Sequence, residues 1–229
     1  MQHLDKICIL IPAYNAEQTL GSVLEKVRPL RMDTIVVNDG SGDETKRVAV
    51  EYGTLLLEHS SNLGKGTALR TGFQYILQKD YQVVITLDAD GQHDPSKIPS
   101  LLRIFQSVKP DILIASRARE FDRMTFLRRF WNRLGAGAVA RLCHSDITDS
   151  QSGFRLIRAE ILKEIPLFTS GYETELELLI KACKKDFNVL SVPTNLPEVD
   201  GTAFSHFKPV ADTWKGCKVF LRILFGFGD

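Results

Sequence analysis

Three aspartates, Asp88, Asp90 and Asp94, stand within seven residues in the stretch Val83 to Pro95, Val-Val-Ile-Thr-Leu-Asp-Ala-Asp-Gly-Gln-His-Asp-Pro. Two acids flanking one residue, as in Asp88-Ala89-Asp90, can aim both carboxylates at one hard cation such as Mg2+ or Mn2+. Such a cation commonly keeps waters and takes its remaining ligands from substrate phosphates. The stretch therefore reads as a metal-diphosphate site. The competing reading is an acidic turn capping the helix after Pro95, because Asp and Gly are ordinary turn residues.

Two further groups have the right chemistry for a nucleotide. Asp39, in Val37-Asn38-Asp39-Gly40-Ser41-Gly42, ends an apolar run, and its carboxylate can accept a hydrogen bond from a base N–H or a ribose hydroxyl while the glycines allow close approach. Plain turn chemistry explains the same residues. Gly64-Lys65-Gly66 precedes a helical pattern and offers free backbone N–H groups and an ammonium to phosphate. It is not a Walker A loop, since His59 stands where the first glycine belongs and Gly66-Thr67 replaces the Ser/Thr after the lysine. No GxGxxG occurs, so a dinucleotide-binding dehydrogenase has no support.

The elements that must position these groups alternate in type. Val83, Val84, Ile85 and Leu87 suit a strand covered on both faces, and open α/β sheets put ligands beyond the carboxyl ends of their strands. Ile7 to Ile11 is a strand closed by Pro12. Asn15, three residues before Gln18, resembles a capping box ahead of Leu20, Val23, Leu24 and Val27 at helical spacing. Ile35 to Val37 is the next strand, followed by a helix from about Asp43 to Tyr52 that stops at Gly53. Thr54 to Leu57 is a strand, and Leu69, Phe73, Ile76 and Leu77 mark a helix opening near Gly66. After Val83 to Leu87, Ile98, Leu101, Leu102 and Phe105 mark another helix. This alternation predicts an α/β fold with a doubly wound, mostly parallel sheet and helices on both faces. Asp111 to Ala115 supplies a fifth strand, after which the alternation weakens. Phe126 to Leu142 and Tyr172 to Lys185 read as helices and Phe187 to Val192 as a strand. With no Pro/Gly/Ser-rich linker and no repeat, one domain over residues 1–229 is expected.

Hydrophobic residues make up 44% of the 229, enough for a sizeable core. With 29 basic and 28 acidic residues the net charge is +1, which removes any whole-chain argument for nucleic acid. Cys8, Cys143, Cys183 and Cys217 lack CxxC spacing, so neither a zinc site nor a disulfide framework is indicated, and a reducing cytosolic environment fits best. Met1 to Lys6 leave no room for a signal peptide. No run approaches the roughly 18 apolar residues of a membrane span, so a soluble or peripherally attached protein is expected.

Taken in order, Ile11-Pro12-Ala13-Tyr14-Asn15-Ala16-Glu17, Val37-Asn38-Asp39-Gly40-Ser41, Asn62-Leu63-Gly64-Lys65-Gly66, Asp88-Ala89-Asp90-Gly91-Gln92-His93-Asp94-Pro95, Ser116-Arg117 and Asp149-Ser150-Gln151-Ser152-Gly153-Phe154-Arg155 closely resemble the family 2 glycosyltransferases. Within that family the resemblance is to the dolichyl- or polyprenyl-phosphate sugar transferase branch, and it covers residues 7–157. It implies a GT-A fold, a nucleotide-diphosphate sugar donor (GDP-mannose or a UDP-sugar), Mg2+ or Mn2+ on the DxD, inversion at the anomeric carbon and a lipid-phosphate acceptor. It also implies a nucleotide-sugar-binding half over about 1–115 and an acceptor half over about 116–229. Carried over by residue, Pro12, Tyr14, Glu17 and Asp39 line the nucleotide pocket, with Asp39 nearest the base and Lys65 close by. Asp88, Ala89, Asp90 and Gln92 surround the metal and diphosphate, with Asp88, Asp90 and Gln92 as metal ligands. Arg117 and Arg155 meet phosphate charge, since a guanidinium fork pairs bidentately with it. The family often continues with Arg-x-x-Gly-x-Ser-Lys, whereas this chain reads Asp200-Gly201-Thr202-Ala203-Phe204-Ser205-His206-Phe207-Lys208. Ser205 matches, and His206 or Lys208 must stand in for the basic residue at the acceptor phosphate.

In-line displacement requires a stabilised diphosphate leaving group, which the metal supplies. A lipid phosphate is already ionised and demands no strong base. If the acceptor is a sugar hydroxyl instead, a carboxylate must take its proton, and Asp149 is the candidate, joining Asp90, Arg117 and Arg155 among the catalytic residues. His93 and His144 read as structural. Arg117 to Arg141 holds seven arginines among Phe121, Met124, Phe126, Leu127, Phe130 and Trp131. This stretch reads as an acceptor and membrane-facing surface rather than a nucleic-acid site, with a snorkelling helix face as the plain alternative, and the basic amphipathic C-terminal stretch Trp214 to Phe227 suits either a membrane interface or packing on the domain. Attachment at the cytoplasmic face of a membrane is the corresponding expectation. The rivals are a sugar-phosphate nucleotidyltransferase, which calls for a Gly-rich basic N-terminal loop that Ile11 to Asn15 lacks, and a non-catalytic nucleotide-sugar-binding protein.

Overall fold

Along β1 (Ile7–Ala13) every residue after Ile7 is buried, and the side chains part by parity as the period of a strand demands. Cys8 and Leu10 join one apolar cluster and Ile9, Ile11 and Ala13 another. This is the pattern of a sheet covered on both faces. The computed structural model describes residues 6–116, 147, 149–150 and 152–194. Around β1 run β2 (Asp33–Asn38), β3 (Leu55–Glu58), β4 (Val83–Thr86), β5 (Ile112–Ser116), β6 (Arg155–Arg158) and β7 (Val189–Pro193), in the sheet order β3-β2-β1-β4-β6-β5-β7. Every pairing is parallel except those of β6, which runs antiparallel to both β4 and β5.

The helices cover both faces. Helices α1 (Leu20–Val27), α2 (Thr45–Glu51) and α4 (Ile98–Val108) pack on the cluster of Ile9, Ile11, Val36, Val83 and Ile85. Helices α3 (Lys65–Leu77), α5 (Ile161–Glu164) and α6 (Glu173–Lys184) pack on that of Leu10, Val37, Val84, Ile114 and Ile157. Among the described helices the anticipated amphipathic stripes face the core, as with the buried Leu20, Val23, Leu24 and Val27 of α1.

Four features depart from the sequence reading. Pro12 lies inside β1 rather than ending it. Leu10 accepts from Leu87 N at 3.0 Å and is the last β1 residue paired with β4, so Pro12, two residues on and turned the same way, breaks no ladder bond. Asn15 forms no capping box: α1 is capped at Thr19 without a side-chain bond, and Asn15 Oδ1 accepts from Gly42 N at 2.9 Å. Strand β6 was not anticipated, because four residues flanked by arginines carry no visible period, yet Leu156 and Ile157 are fully buried on opposite faces. Cys8 is a buried free thiol, but Cys183 is disulfide-bonded, against the expectation that no disulfide is indicated. Among the described residues no helix is long and apolar enough to cross a membrane. Arg117, the Arg117–Arg141 stretch, His144, Ser205, His206, Lys208 and Trp214 to Phe227 lie outside the described residues.

Phe105 of α4 is fully buried between its helix and the sheet, with the Arg158 guanidinium 5.5 Å from its ring. Phe105→Ala leaves a cavity at that contact, and a loss of about 3–5 kcal/mol is expected in urea unfolding with the far-UV spectrum of the folded state unchanged.

Candidate active site

The order of the sheet reverses between β1 and β4, and the crevice beyond such a switch point is where doubly wound sheets bind ligands. The segments following β1, β2 and β4 all emerge at this edge. Because β6 is antiparallel, it begins where β4 ends, with Arg155 opposite Thr86. Its lead-in is thereby delivered to the same edge. Thr86 Oγ1 donates to Gly153 O at 2.8 Å, fastening the two.

The first two segments are stitched to each other. Asp39 N donates to Ala13 O at 2.8 Å, Asn15 N to Ser41 Oγ at 3.0 Å, Ala16 N to Thr45 Oγ1 at 2.7 Å and Glu17 N to Asp43 Oδ2 at 3.0 Å. Glu17 Oε2 accepts in return from Glu44 N at 3.0 Å. Of the residues expected around a nucleotide, Pro12 is buried, Tyr14 half-buried and Glu17 exposed at this edge.

Asp39 is 2% exposed, and its carboxylate is a hub. Oδ1 accepts from Leu63 N at 3.0 Å and meets His59 Nδ1 at 2.6 Å, while Oδ2 accepts from Gly64 N at 2.8 Å. His59 Nε2 reaches Thr71 Oγ1 at 2.9 Å. Asp39 thus fixes the loop that starts α3. Gly64 sits there at φ +97°, a conformation that side chains resist. The N–H groups of Gly66 and Thr67 both donate to Ser170 O, at 2.8 and 3.2 Å. The Gly64-Lys65-Gly66 loop was expected to offer free N–H groups to phosphate, and this is corrected: those of Gly64, Gly66 and Thr67 are spent inside the protein.

What the loop does present is the Lys65 ammonium. It lies 2.6 Å from Asp88 Oδ1 and 3.1 and 3.2 Å from the two oxygens of Glu175, with the Tyr172 ring 5.3 Å away. Burial disfavours the charge of Lys65, but Asp88 and Glu175 outweigh burial and raise its pKa. Asp88 fits against Gly153 so closely that a Cβ there would come within 2.4 Å of Asp88 Oδ2. Sequence reasoning missed Glu175. Its signal was an acidic residue on the buried stripe of α6, beside Leu178 and Leu179, where an unpaired carboxylate is costly.

The other acids of the stretch divide. Asp90 Oδ1 accepts from Gln92 N at 3.0 Å, which orients a half-buried carboxylate, and Ala89 packs in the core. Asp94 is a cap: its carboxylate accepts from Ser96 N at 3.1 Å and Ser96 Oγ at 2.7 Å, as the turn reading has it. His93 is buried edge-on against Phe154, centroids 5.5 Å apart, with Nε2 4.0 Å from Asp88 Oδ2. Asp149 is buried. Arg155, expected to meet phosphate, is 1% exposed and donates to Ser152 O at 2.9 Å, Glu175 O at 2.7 Å and Ser150 O at 2.8 Å. In this structure it braces the backbone around the Asp149–Gly153 segment.

Among the described residues, no three His, Cys, Asp or Glu side chains converge so as to hold a metal ion by themselves. A cation of the Mg2+ kind is usually held by one or two carboxylates and completed by substrate phosphates. Asp88 and Asp90, oxygen donors on one partly exposed loop, fit that mode.

Residues 8–166 match the model of glycosyl transferase family 2. The chain belongs to glycosyl transferase family 2. This family 2 chain is 33% identical over 196 residues to an uncharacterised protein of Methanocaldococcus jannaschii, covering 82% of the chain and 80% of the relative. It is 29% identical to the UDP-N-acetylglucosamine–dolichyl-phosphate N-acetylglucosaminyltransferase of Methanococcus voltae, over 95% of the chain and 94% of that enzyme. It is also 29% identical to the polyprenol monophosphomannose synthase of Mycolicibacterium smegmatis, over 83% and 77%. In fold it is similar to Mycobacterium tuberculosis glucosyl-3-phosphoglycerate synthase, with a TM-score of 0.75 at 21% identity over 98% of the chain and 82% of that one. The fold of this glycosyltransferase is GT-A, as the resemblance implied. Crystals of the mycobacterial synthase hold Mn2+ with UDP-glucose or Mg2+ with UDP.

A second buried acid of this family 2 chain supports the site from behind. Glu177 accepts from Phe168 N, Thr169 N and Thr169 Oγ1 and pairs with Lys181 Nζ at 2.7 Å, holding the turn whose Ser170 O receives α3. Burial pushes the Glu177 carboxyl up, but Lys181, Thr169 and Phe168 outweigh it and hold it below the ordinary 4.5. A depressed carboxyl stabilises the fold above the unfolded pKa and ceases to do so as pH falls through the folded one. Glu177→Gln should therefore cost about 2 kcal/mol at pH 7. In thermal melts the gap from wild type should close as the pH is lowered below about 4.5.

Proposed function

We propose that the protein is an inverting glycosyltransferase that moves a sugar from a nucleotide-diphosphate sugar, GDP-mannose or a UDP-sugar, to a polyprenyl- or dolichyl-phosphate. The observation that carries the reading is the gathering of Asp88, Asp90 and the Lys65 ammonium at the carboxyl end of β4, beside the loop before α3 that Asp39, just after β2, holds. Relatives that match most of the chain are named for transfer to dolichyl or polyprenyl phosphate, which supports the acceptor class.

In this reading Asp88 and Asp90, with Gln92 beside them, hold Mg2+ or Mn2+, whose charge stabilises the departing diphosphate. Lys65 brings a second positive charge to the same group. Pro12, Tyr14, Glu17 and Asp39 form the nucleotide side of the crevice, with about 1–115 as the donor half and about 116–229 as the acceptor half. Asp39 acts on the base chiefly by fixing the 63–64 loop. Arg117, Ser205 and His206 are assigned to the acceptor phosphate, and Arg155 is reassigned to bracing. An ionised acceptor needs no general base, so Asp149 acts as one only with a hydroxyl acceptor. The enzyme works at the cytoplasmic face of a membrane, attached peripherally through Arg117 to Arg141 and the C-terminal stretch.

Two measurements test this. In assays with UDP- and GDP-sugars, Mg2+ or Mn2+ and polyprenyl phosphate, Asp90→Asn should lower turnover by at least about a hundredfold, the loss that follows when several kcal/mol of charge stabilisation goes. Near-normal turnover in a folded variant would sink the metal assignment. In liposome co-sedimentation, binding to anionic vesicles should fall with added salt and with Arg128→Glu plus Arg129→Glu, since each basic residue near such a surface contributes about 1 kcal/mol. Protein that stays in the supernatant at low salt, even with polyprenyl phosphate in the vesicle, argues for a soluble hydroxyl acceptor.

A further inference from the structure

The geometry around Lys65 has a consequence for the order in which ligands bind. We infer that Lys65 competes with a bare divalent cation for Asp88, that Glu175 is the second seat to which its ammonium withdraws, and that the metal is therefore taken up together with a diphosphate. This rests on the reading of Asp88 and Asp90 as the metal-diphosphate site.

The ammonium sits 2.6 Å from Asp88 Oδ1, within the space that a cation on that oxygen would claim, and two positive charges cannot share it without strong repulsion. On its other side are both oxygens of Glu175, at 3.1 and 3.2 Å. The Glu175 side chain is only 7% exposed, and a carboxylate so buried must keep a cation close. Lys65 can thus release Asp88 without losing a partner, and Glu175 is never left uncompensated. The backbone on both sides of Lys65 is fixed, Gly64 N by Asp39 and Gly66 N by Ser170 O. The exchange is confined to the side chain, which moves between its two carboxylates over the face of Tyr172.

Charge sets the direction of the coupling. Asp88, Asp90, Glu175 and Lys65 together carry two negative charges, but the ammonium already neutralises the Asp88 oxygen that a metal ion would use, so a metal ion alone gains little by displacing it. A diphosphate adds oxygens that take both the metal and the ammonium. Metal and nucleotide then strengthen each other's binding by the same factor.

The test is a Mn2+ titration followed by electron paramagnetic resonance of the free ion, with and without UDP or GDP and corrected for Mn2+ held by nucleotide alone. Wild type should bind Mn2+ weakly alone and tightly with diphosphate. Lys65→Met should tighten binding of Mn2+ alone at least tenfold, and Lys65→Arg should leave it weak. Glu175→Gln should weaken it further, because the ammonium is left with Asp88 as its one carboxylate. A merely structural role for Lys65 would loosen the site in the methionine variant, so tightening separates the two. Metal-only binding in a folded Lys65→Met protein that is no tighter than wild type, while UDP or GDP still promotes Mn2+ uptake by wild type, overturns the inference and leaves the metal site standing. Absence of Mn2+ binding in every protein under every condition overturns the metal site and the inference with it.

Discussion

A buried ammonium between two carboxylates holds the site together. Lys65 belongs to α3, Asp88 to the segment after β4 and Glu175 to α6, three pieces that come from different parts of the chain. Lys65 and Glu175 are buried deeply enough that each needs the other's charge, because their loss of water is offset only by close opposite charge, while Asp88 keeps part of its carboxylate exposed. Everything else at the carboxyl edge follows from keeping that contact. Asp39 sets the start of α3, Ser170 receives its first N–H groups, and Glu177 with Lys181 holds the turn that carries Ser170.

The antiparallel strand is the second constraint. A parallel strand in the place of β6 would bring its carboxyl end, not its start, beside Asp88. Run the other way, β6 begins opposite Thr86 and puts Gly153 against the Asp88 carboxylate and Arg155 under α6, where it donates to Glu175 O at 2.7 Å. A buried arginine that brings three carbonyls to one guanidinium fixes backbone from Ser150 to Glu175. The reversal of a single strand thereby links the lead-in of β6 to the loop that carries Asp88.

The sheet and most helices were legible because their apolar spacing is physical: β1, β2, β4 and β5 are buried runs, and α1, α4 and α6 carry stripes that end up buried. The candidate site was half legible. Asp88 and Asp90 announce themselves by spacing, and Asp94 matched the same pattern although it is a cap. Glu175 stands on a buried stripe, but the partner it requires could not be named from the sequence, since Lys65 lies 110 residues away and only the tertiary fold brings them together. The surroundings of Arg155 were hidden for the complementary reason. A guanidinium suits phosphate and carbonyl oxygens equally well, and which one it meets is decided by burial, which a strand of four residues does not advertise.

The motif order in the chain also acquires a mechanical meaning. Asp-Ser-Gln-Ser-Gly-Phe-Arg looks like a catalytic string, yet its glycine is a clearance and its arginine a brace. Replacing Gly153 by any larger residue would push the Asp88 carboxylate away from the position Lys65 now holds. That displacement would leave the ammonium with Glu175 alone and turn Asp88 toward solvent, so the balance between the two seats of Lys65 depends on a residue that has no side chain at all.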